Sequence, residues 1–495
     1  MLKTILEQTN IYLDSMPKIK RKKYGQFFTS GETATFMAEL FDIPKDKKSL
    51  KILDAGAGSG ILSCAMVERL QLEKSVESIY LICYENDKNI VKLLNENLEY
   101  IKKHSTVHID YEVIENNYIL DQKFESKDIS LAENDSSKFD MVIGNPPYMK
   151  ISKDAPEATA IPEVCYGAPN LYFLFATMSL FNLKKDCEMV YIIPRSWTSG
   201  AYFKKFRAYF LDIGKLKHIH VFVSRSKVFD TENVLQETII VKIKKTKQTP
   251  KFVGITSSKS NKHFDDSTKM KIPYDIVVAG ENKYVYLVTN EHELRILNKL
   301  KMCNHTLPEI GMKMKTGLTV DFRNKDILRE TEVNGAIPLF YAQHIKEGMI
   351  QFPIQKENQY IVTEQAGLQQ MNKNYLFVKR FTAKEEKRRL QCGIYLARQF
   401  PNYEKISTQN KLNFIDGISF NLSENVVFGL YVIFNSTLYD DYYRILNGST
   451  QVNSTEINAM PVPELQCIEA MGEKLIDSND LSEKNCDKIL EEYYV

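Results

Sequence analysis

Residues 50–60 read Leu-Lys-Ile-Leu-Asp-Ala-Gly-Ala-Gly-Ser-Gly (LKILDAGAGSG). An apolar run of strand length, Leu50 to Ala55, passes straight into a glycine turn, and Ile61 to Leu72 then carries a helical apolar face. Glycines at 56, 58 and 60 let the backbone turn tightly and let a ligand approach closer than any Cβ would permit. Outward from this turn the alternation continues. Ile79 to Tyr84 reads as the next strand, Phe139 to Gly144 as another, Asn170 to Leu183 as a helix and Glu188 to Ile193 as a strand. Strands alternating with helices predict an α/β fold, a Rossmann-like, doubly wound parallel sheet with ligands at the carboxyl ends of its strands.

Two further strands, His218 to Ser224 and Glu237 to Lys244, follow too closely for a crossover helix, so they are expected as an antiparallel hairpin at the C-terminal edge of the sheet. Lys244 to Lys262, basic and rich in Ser and Thr, reads as the exit from this domain. The expected division is residues 1–250 for a cofactor-binding catalytic domain and 251–495 for a second, α+β domain.

Composition sets outer bounds. At about 150 residues per domain, 495 residues allow two to four domains. With 43% hydrophobic and 26% charged residues the chain can bury a sizeable core, which excludes wholesale disorder. Sixty-five Lys and Arg against 63 Asp and Glu leave +2, so a histone-like polybasic protein is excluded while local basic faces are not. The polar N-terminus has no signal-peptide core, and the apolar stretch Leu171 to Phe181 is far short of the ~20 residues a bilayer needs. Eight cysteines are scattered at 64, 83, 165, 187, 303, 392, 467 and 486, with no C-x-x-C pair and no histidine cluster at zinc spacing. Reduced thiols, no metal, no membrane and a cytoplasmic location are expected, with His218 and His220 structural.

No Lys-Ser/Thr follows the glycine turn, which disfavours a P-loop, and the G-x-G-x-x-G spacing of dinucleotide folds is absent. A nucleoside cofactor lacking phosphates, such as S-adenosylmethionine, fits better, with Asp54, Gly56 and Gly58 in the turn. Glu85 closes the next strand, where a carboxylate accepts both hydroxyl hydrogens of a ribose.

Asn145-Pro146-Pro147-Tyr148 ends the Phe139 strand. Two prolines cannot continue a ladder, so the chain leaves the sheet there in a rigid, extended turn. The arrangement suits methylation of a planar exocyclic amine, whose lone pair is delocalised into its ring. The Asn145 side-chain oxygen and the Pro146 carbonyl could take both amine hydrogens, favouring a pyramidal nitrogen and localising the lone pair toward a methyl donor. The Tyr148 ring offers a face to the base. Transfer would be direct, without a covalent nucleophile.

Taken in order, these motifs resemble the γ-class, TaqI-type N6-adenine DNA methyltransferases, and most of all the BsuBI/PstI group of type II restriction-system modification enzymes. The resemblance begins at Lys23-Tyr-Gly-Gln-Phe-Phe-Thr29 and continues through Asp54–Gly60, Glu85 and Asn145–Tyr148 to Val228-Phe229. Lys379–Arg389 (KRFTAKEEKRR) and Asn447–Asn453 (NGSTQVN) resemble segments of the group's target-recognition half, so coverage is nearly the full chain. The resemblance implies that Tyr24, Phe28 and Thr29 help enclose S-adenosylmethionine, that Glu85 holds its ribose, and that Phe229 and Tyr148 sandwich a flipped adenine. Where the family has Asp-Phe against the cofactor's adenine, this chain has Asn117-Tyr118 as the nearest match, with Asp128-Ile129 as the competing assignment.

Residues 251–495 are then expected to recognise a DNA target, CTGCAG-like if the group's site carries over. Lys379–Arg389 holds six basic and two acidic side chains. It reads either as a solvated helix face with internal ion pairs or as a strip on the phosphates through Lys379, Arg380, Lys384, Lys387 and Arg388. Arg195-Ser196-Trp197 follows the Glu188 strand and either shapes the pocket mouth or packs. The implied partners are double-stranded DNA and a separate endonuclease, with the enzyme a monomer working at the nucleoid. A rival with the same chemistry acts on RNA or a protein amide. A rival from another class is a DNA-binding subunit that keeps the fold without the activity.

Overall fold

The computed structural model describes residues 1–15, 29–122, 124, 138–222, 237–262, 264–383 and 385–494. They form two compact units, Met1–Thr289 and Asn290–Val495.

The first unit is built on a nine-stranded sheet of order β3-β2-β1-β4-β5-β7-β6-β8-β9. Its strands are β1 (Ser49–Ala55), β2 (Ser78–Tyr84), β3 (His108–Ile114), β4 (Phe139–Gly144), β5 (Leu183–Pro194), β6 (Gly214–Phe222), β7 (Thr238–Lys245), β8 (Phe252–Ser258) and β9 (Thr268–Pro273). The first five pair in parallel with one another, β5 pairs antiparallel with β7, and the order reverses between β1 and β4. At such a reversal the crossover helices leave on opposite faces, opening a crevice at the carboxyl ends of the strands. All six residues of β4 are buried, as expected of a strand covered on both faces. Strand β3 was not foreseen: its polar HIDYEVI pattern fits an outer strand with one neighbour, and such strands lack an apolar run.

The helices start where local chemistry directs. Helix α1 spans Leu2–Ser15 and α2 spans Gly31–Glu39, the latter capped by Ser30. Helix α3 (Ile61–Leu70) opens directly from the glycine turn. Helix α4 (Lys88–His104) is capped by the Asp87 carboxylate accepting from Asn89 N, and buries Ile90, Val91, Leu94, Leu98 and Ile101 along one stripe. Asn170 caps α5 (Leu171–Asn182), which is apolar almost all round and buried. Helix α6 spans Lys204–Ile213.

The expected hairpin exists, since β6 and β7 pair antiparallel, but it is not the edge. Strand β7 lies between β5 and β6, and β8 and β9 extend the sheet beyond them. The segment read as a domain exit therefore contains β8, and the division falls after Thr289 rather than after residue 250. The reason is that β8 pairs parallel with β6, a long-range choice that the composition of a basic, Ser/Thr-rich run does not encode. His218 and His220 lie on this seam, bonded to Thr256 Oγ1 at 2.9 and 2.8 Å, and burial pulls their imidazoles down to about 4 and about 3. They are neutral packing groups.

The second unit holds a six-stranded sheet containing β10 (Met312–Thr316), β12 (Tyr375–Lys379), β13 (Cys392–Tyr395) and β15 (Leu412–Gly417), with β15 between β10 and β12. A five-stranded sheet contains β11 (Ile337–Phe340) and β14 (Lys405–Thr408). Phe340, Tyr375, Phe377, Tyr395, Phe400 and Phe414 pack into a shared aromatic core. Helices α7 (Glu424–Asn435), α8 (Thr437–Leu446) and α9 (Leu465–Ser478) complete it. Among the described residues, no helix is long and apolar enough to cross a membrane.

Candidate active site

The glycine turn is pinned to the neighbouring strand. Gly56 N and Ala57 N both donate to Tyr84 O at 2.9 Å, and Gly56, Gly58 and Gly60 adopt φ of 80°, 57° and 84°. In that left-handed region a Cβ costs roughly 1–2 kcal/mol per residue, which is why three glycines stand there. Gly58 N donates to Glu85 Oε2 at 2.9 Å and Asp87 N to Glu85 Oε1 at 2.9 Å. Turn and acid are thus one rigid piece. Burial pushes the Glu85 carboxyl up, while the N–H donors pull it the other way.

Above this piece opens a cavity of about 510 Å³, within the range of small-molecule sites. Thr29, Gly56, Gly58, Glu85, Asn117, Tyr118, Asn145 and Pro147 all line it. Residues that lie far apart in the sequence therefore converge on one space. Asp54 does not line the cavity: it is fully buried behind the turn, with Oδ2 accepting from Ser63 Oγ at 2.7 Å. It supports the turn instead of touching its contents.

On the cavity wall, Asn117 Oδ1 accepts from Ile119 N and Leu120 N, and its Nδ2 donates to Glu157 at 2.8 Å. The Tyr118 ring meets Tyr84 edge to face, with centroids 4.9 Å apart, and its hydroxyl is held by Ser179 and Asn182 at 3.2 Å each. Of the tetrapeptide, Asn145 and Pro147 line the cavity while Pro146 and Tyr148 do not. Asn145 Nδ2 donates to Thr29 Oγ1 at 3.1 Å, which joins the segment entering α2 to the end of β4. The Tyr148 hydroxyl donates to Ile192 O at 3.0 Å and its ring meets Tyr172 at 86°. Pro146 is buried and Pro147 half-buried. Just beyond, Leu171 N donates to Met149 O at 2.8 Å, which returns the chain into α5.

Some expected residues are placed elsewhere. Trp197 is fully buried, packed edge to face on Phe206 and Phe210 of α6, so it is a core residue and not a substrate contact. Arg195 is ion-paired with Glu237 at 3.1 Å. The basic run is strand end and loop rather than helix. Arg388 donates to Ser436 O at 2.9 Å and pairs with Glu483, so its guanidinium is engaged by protein rather than phosphate. Lys379 donates to Gln391 Oε1 at 2.7 Å, Arg380 to Asn410 O at 2.9 Å, and only exposed Lys387 of these four stands well out in solvent. Charge counting cannot see which cations a fold will use internally. Tyr24, Phe28, Phe229, Lys384, Asp128 and Ile129 lie outside the described residues.

Sequence reasoning missed Asn86, Asp87, Asn116, Met149 and Phe175 on the cavity wall. Asp87 was within reach, because an Asp two residues after a strand-ending acid signals a helix start. Phe175 was not, since a helix apolar all round declares no face.

A doubly wound sheet whose switch point joins a glycine turn, a strand-ending acid and Asn-Pro-Pro-Tyr defines a Rossmann-like methyltransferase. The model of the Eco57I restriction-modification methylase family matches residues 64–229. Type II methyltransferase M.PstI of Providencia stuartii is 34% identical over 99% of this chain and 96% of its own length. Type II methyltransferase M.BsuBI of Bacillus subtilis is 33% identical, over 96% and 95%. The chain belongs to this family of type II restriction-modification DNA methyltransferases. Among solved structures, the type IIL restriction-modification enzyme MmeI in complex with DNA aligns with 98% of this chain and 78% of its own, with TM-score 0.57 and 12% identity, a likeness of fold.

The cofactor is S-adenosylmethionine, whose sulfonium supplies an electrophilic methyl group. The cavity fits it. The wall over the turn is bare backbone where a Cβ would intrude, Glu85 retains acceptor lone pairs for ribose hydroxyls, and Tyr118 adds an aromatic side chain to the wall.

Proposed function

We propose that this enzyme transfers a methyl group to N6 of an adenine flipped out of duplex DNA, as the modification enzyme of a type II system. In this reading Asn145 Oδ1 and the Pro146 carbonyl accept the two hydrogens of the amine, and the Tyr148 ring stacks on the base. Thr29 orients the Asn145 amide by accepting from its Nδ2. Glu85 holds the cofactor's ribose, and Asn117 and Tyr118 hold its adenine. The observation that carries the reading is convergence: the glycine turn, Glu85, Asn145 and Pro147 all line one cavity. A methyl donor held at the turn and an amine held by Asn145 would therefore share one space. The target is a CTGCAG-like site, the enzyme acts as a monomer, and a separate protein is the endonuclease.

The test is methyl transfer from labelled S-adenosylmethionine to unmethylated duplex, followed by single-molecule mapping of modified bases. N6-methyladenine within one short motif is expected, with Asn145→Ala losing at least about 100-fold in kcat, the scale of removing one preorganised acceptor or donor. Methyl-cytosine, or incorporation into RNA or protein instead of DNA, would overturn the reading.

A further inference from the structure

Two stretches far apart in the chain, Lys379–Ala383 and Asn447–Val452, run side by side in the second unit. Phe381 forms an antiparallel bridge with Gln451, Thr382 N donates to Thr450 O at 3.1 Å and Val452 N donates to Arg380 O at 2.7 Å. A third loop, Gln409–Lys411, joins them: Arg380 N donates to Lys411 O at 3.0 Å and Arg380 Nη1 to Asn410 O at 2.9 Å. A fourth, Gly317–Ile327, joins the third, because Asn410 N donates to Thr319 O at 2.8 Å and Thr319 bridges Gln409. The polar backbone of these loops is largely satisfied by the loops themselves.

Beneath the row, Arg389 is fully buried. Its Nη2 donates to Ser449 O at 2.7 Å and to Asn447 Oδ1 at 3.4 Å, and its Nε donates to Thr382 Oγ1 at 3.2 Å. One buried guanidinium thus ties the first two loops together, and Asn447 continues the network to buried Glu456.

Within these loops Phe322 is 62% and Phe381 43% exposed, with Arg323 over the Phe322 ring and Arg380 over the Phe381 ring, and Arg323, Lys325, Asp326, Lys411, Ser449 and Thr450 are exposed as well. The four loops carry five basic and two acidic described residues in a protein whose total is near neutral. Large exposed aromatics grouped with cations and small hydroxyls call for a partner that offers both anionic and apolar surface. A DNA duplex does: phosphates for the cations, base edges and thymine methyls for the rings and polar side chains.

We propose that these four loops form the head that reads base pairs of the target site. Phe381 and Gln451, which share a face across their bridge, contact base edges, while Lys411 and Arg323 contact phosphates. This rests on the DNA-methylation reading above, and it moves target recognition from the cations of the 379–389 run to the exposed side chains around it.

The full-length enzyme is compared with Phe381→Ala and Lys411→Ala, using duplexes carrying the site mapped for wild type, unrelated duplexes, and S-adenosylhomocysteine as a probe of the cofactor site. Phe381→Ala is expected to lower kcat/KM on the mapped site by about 10- to 100-fold and to relax the mapped motif. Lys411→Ala is expected to weaken cognate and unrelated duplexes alike and to reduce the salt slope of binding by about one. S-adenosylhomocysteine binding and Tm stay at wild-type values in both. Wild-type kcat/KM and an unchanged motif in Phe381→Ala, with an unchanged salt slope in Lys411→Ala, would overturn the reading head alone. Failure of the wild-type enzyme to bind or methylate any duplex would overturn the DNA reading and the head with it.

Discussion

Asp54 is a carboxylate held in an environment at odds with its charge. It is fully buried, Ser63 supplies one hydrogen bond, and Oδ1 has no hydrogen-bond partner among the described residues. Desolvation pushes its carboxyl up to about 7. An unfolded aspartate titrates near pH ~4. Between these values the folded chain holds a proton that the unfolded chain has released, so this group's contribution to stability falls as pH rises from about 4 through about 7. Asp54→Asn keeps an oxygen for Ser63 and carries no charge. Its Tm is expected to decline less than that of wild type between about pH 5 and 8 and to exceed it at the upper end. Thermal melts followed by circular dichroism check this, and parallel declines in both proteins would count against it.

At the scale of elements, α7 and α9 approach through two glycines. A Cβ on Gly429 would stand 1.8 Å from Ile468 O, and one on Gly472 1.8 Å from Asn425 O. Both obstacles are backbone, so no side-chain rotation relieves them, and the helices would have to separate. Gly429→Ala is expected to destabilise the second unit by about 3 kcal/mol, the upper part of the usual overpacking range. Urea unfolding reads this as a lower midpoint with an unchanged slope. In the first unit the corresponding element-level device is the strand end. Proline stops β4, and the ring packing of Tyr148 on Tyr172 with its bond to Ile192 sets where the chain goes next. Together they make the tetrapeptide a fixed wall rather than a loop.

At the scale of the whole molecule, two units divide at Thr289, and the residues lining the cavity all belong to the first. A ligand that binds only the native first unit stabilises it by RT ln(1 + [L]/Kd), about 2.7 kcal/mol at one hundred times Kd. Saturation with S-adenosylhomocysteine is therefore expected to slow amide exchange around residues 56–59, 85–89 and 116–118 and to leave residues 290–495 unchanged. Hydrogen-exchange mass spectrometry reads this directly, and equal protection in both units would contradict it.

What the sequence by itself determined is what neighbours along the chain determine. Leu50–Gly60 forces strand, left-handed turn and helix in succession, Asp87 and Asn170 start helices, and Asn145–Tyr148 must leave the sheet. Those constraints were enough to place Glu85, the glycines and the tetrapeptide at strand ends. They were also enough to anticipate a doubly wound fold, since alternation of strand and helix is a local pattern. Only the tertiary structure decided which of these ends meet, because pairing of β1 with β4 joins residues some ninety positions apart. It likewise carried β8 and β9 into the first sheet past the expected boundary. It buried Trp197, engaged Arg388 and Arg389 inside the protein, and left Phe381 facing outward beside Gln451. Side-chain type sets what a residue can do, but burial and pairing are properties of the packed chain, and they decide which of those capacities is used.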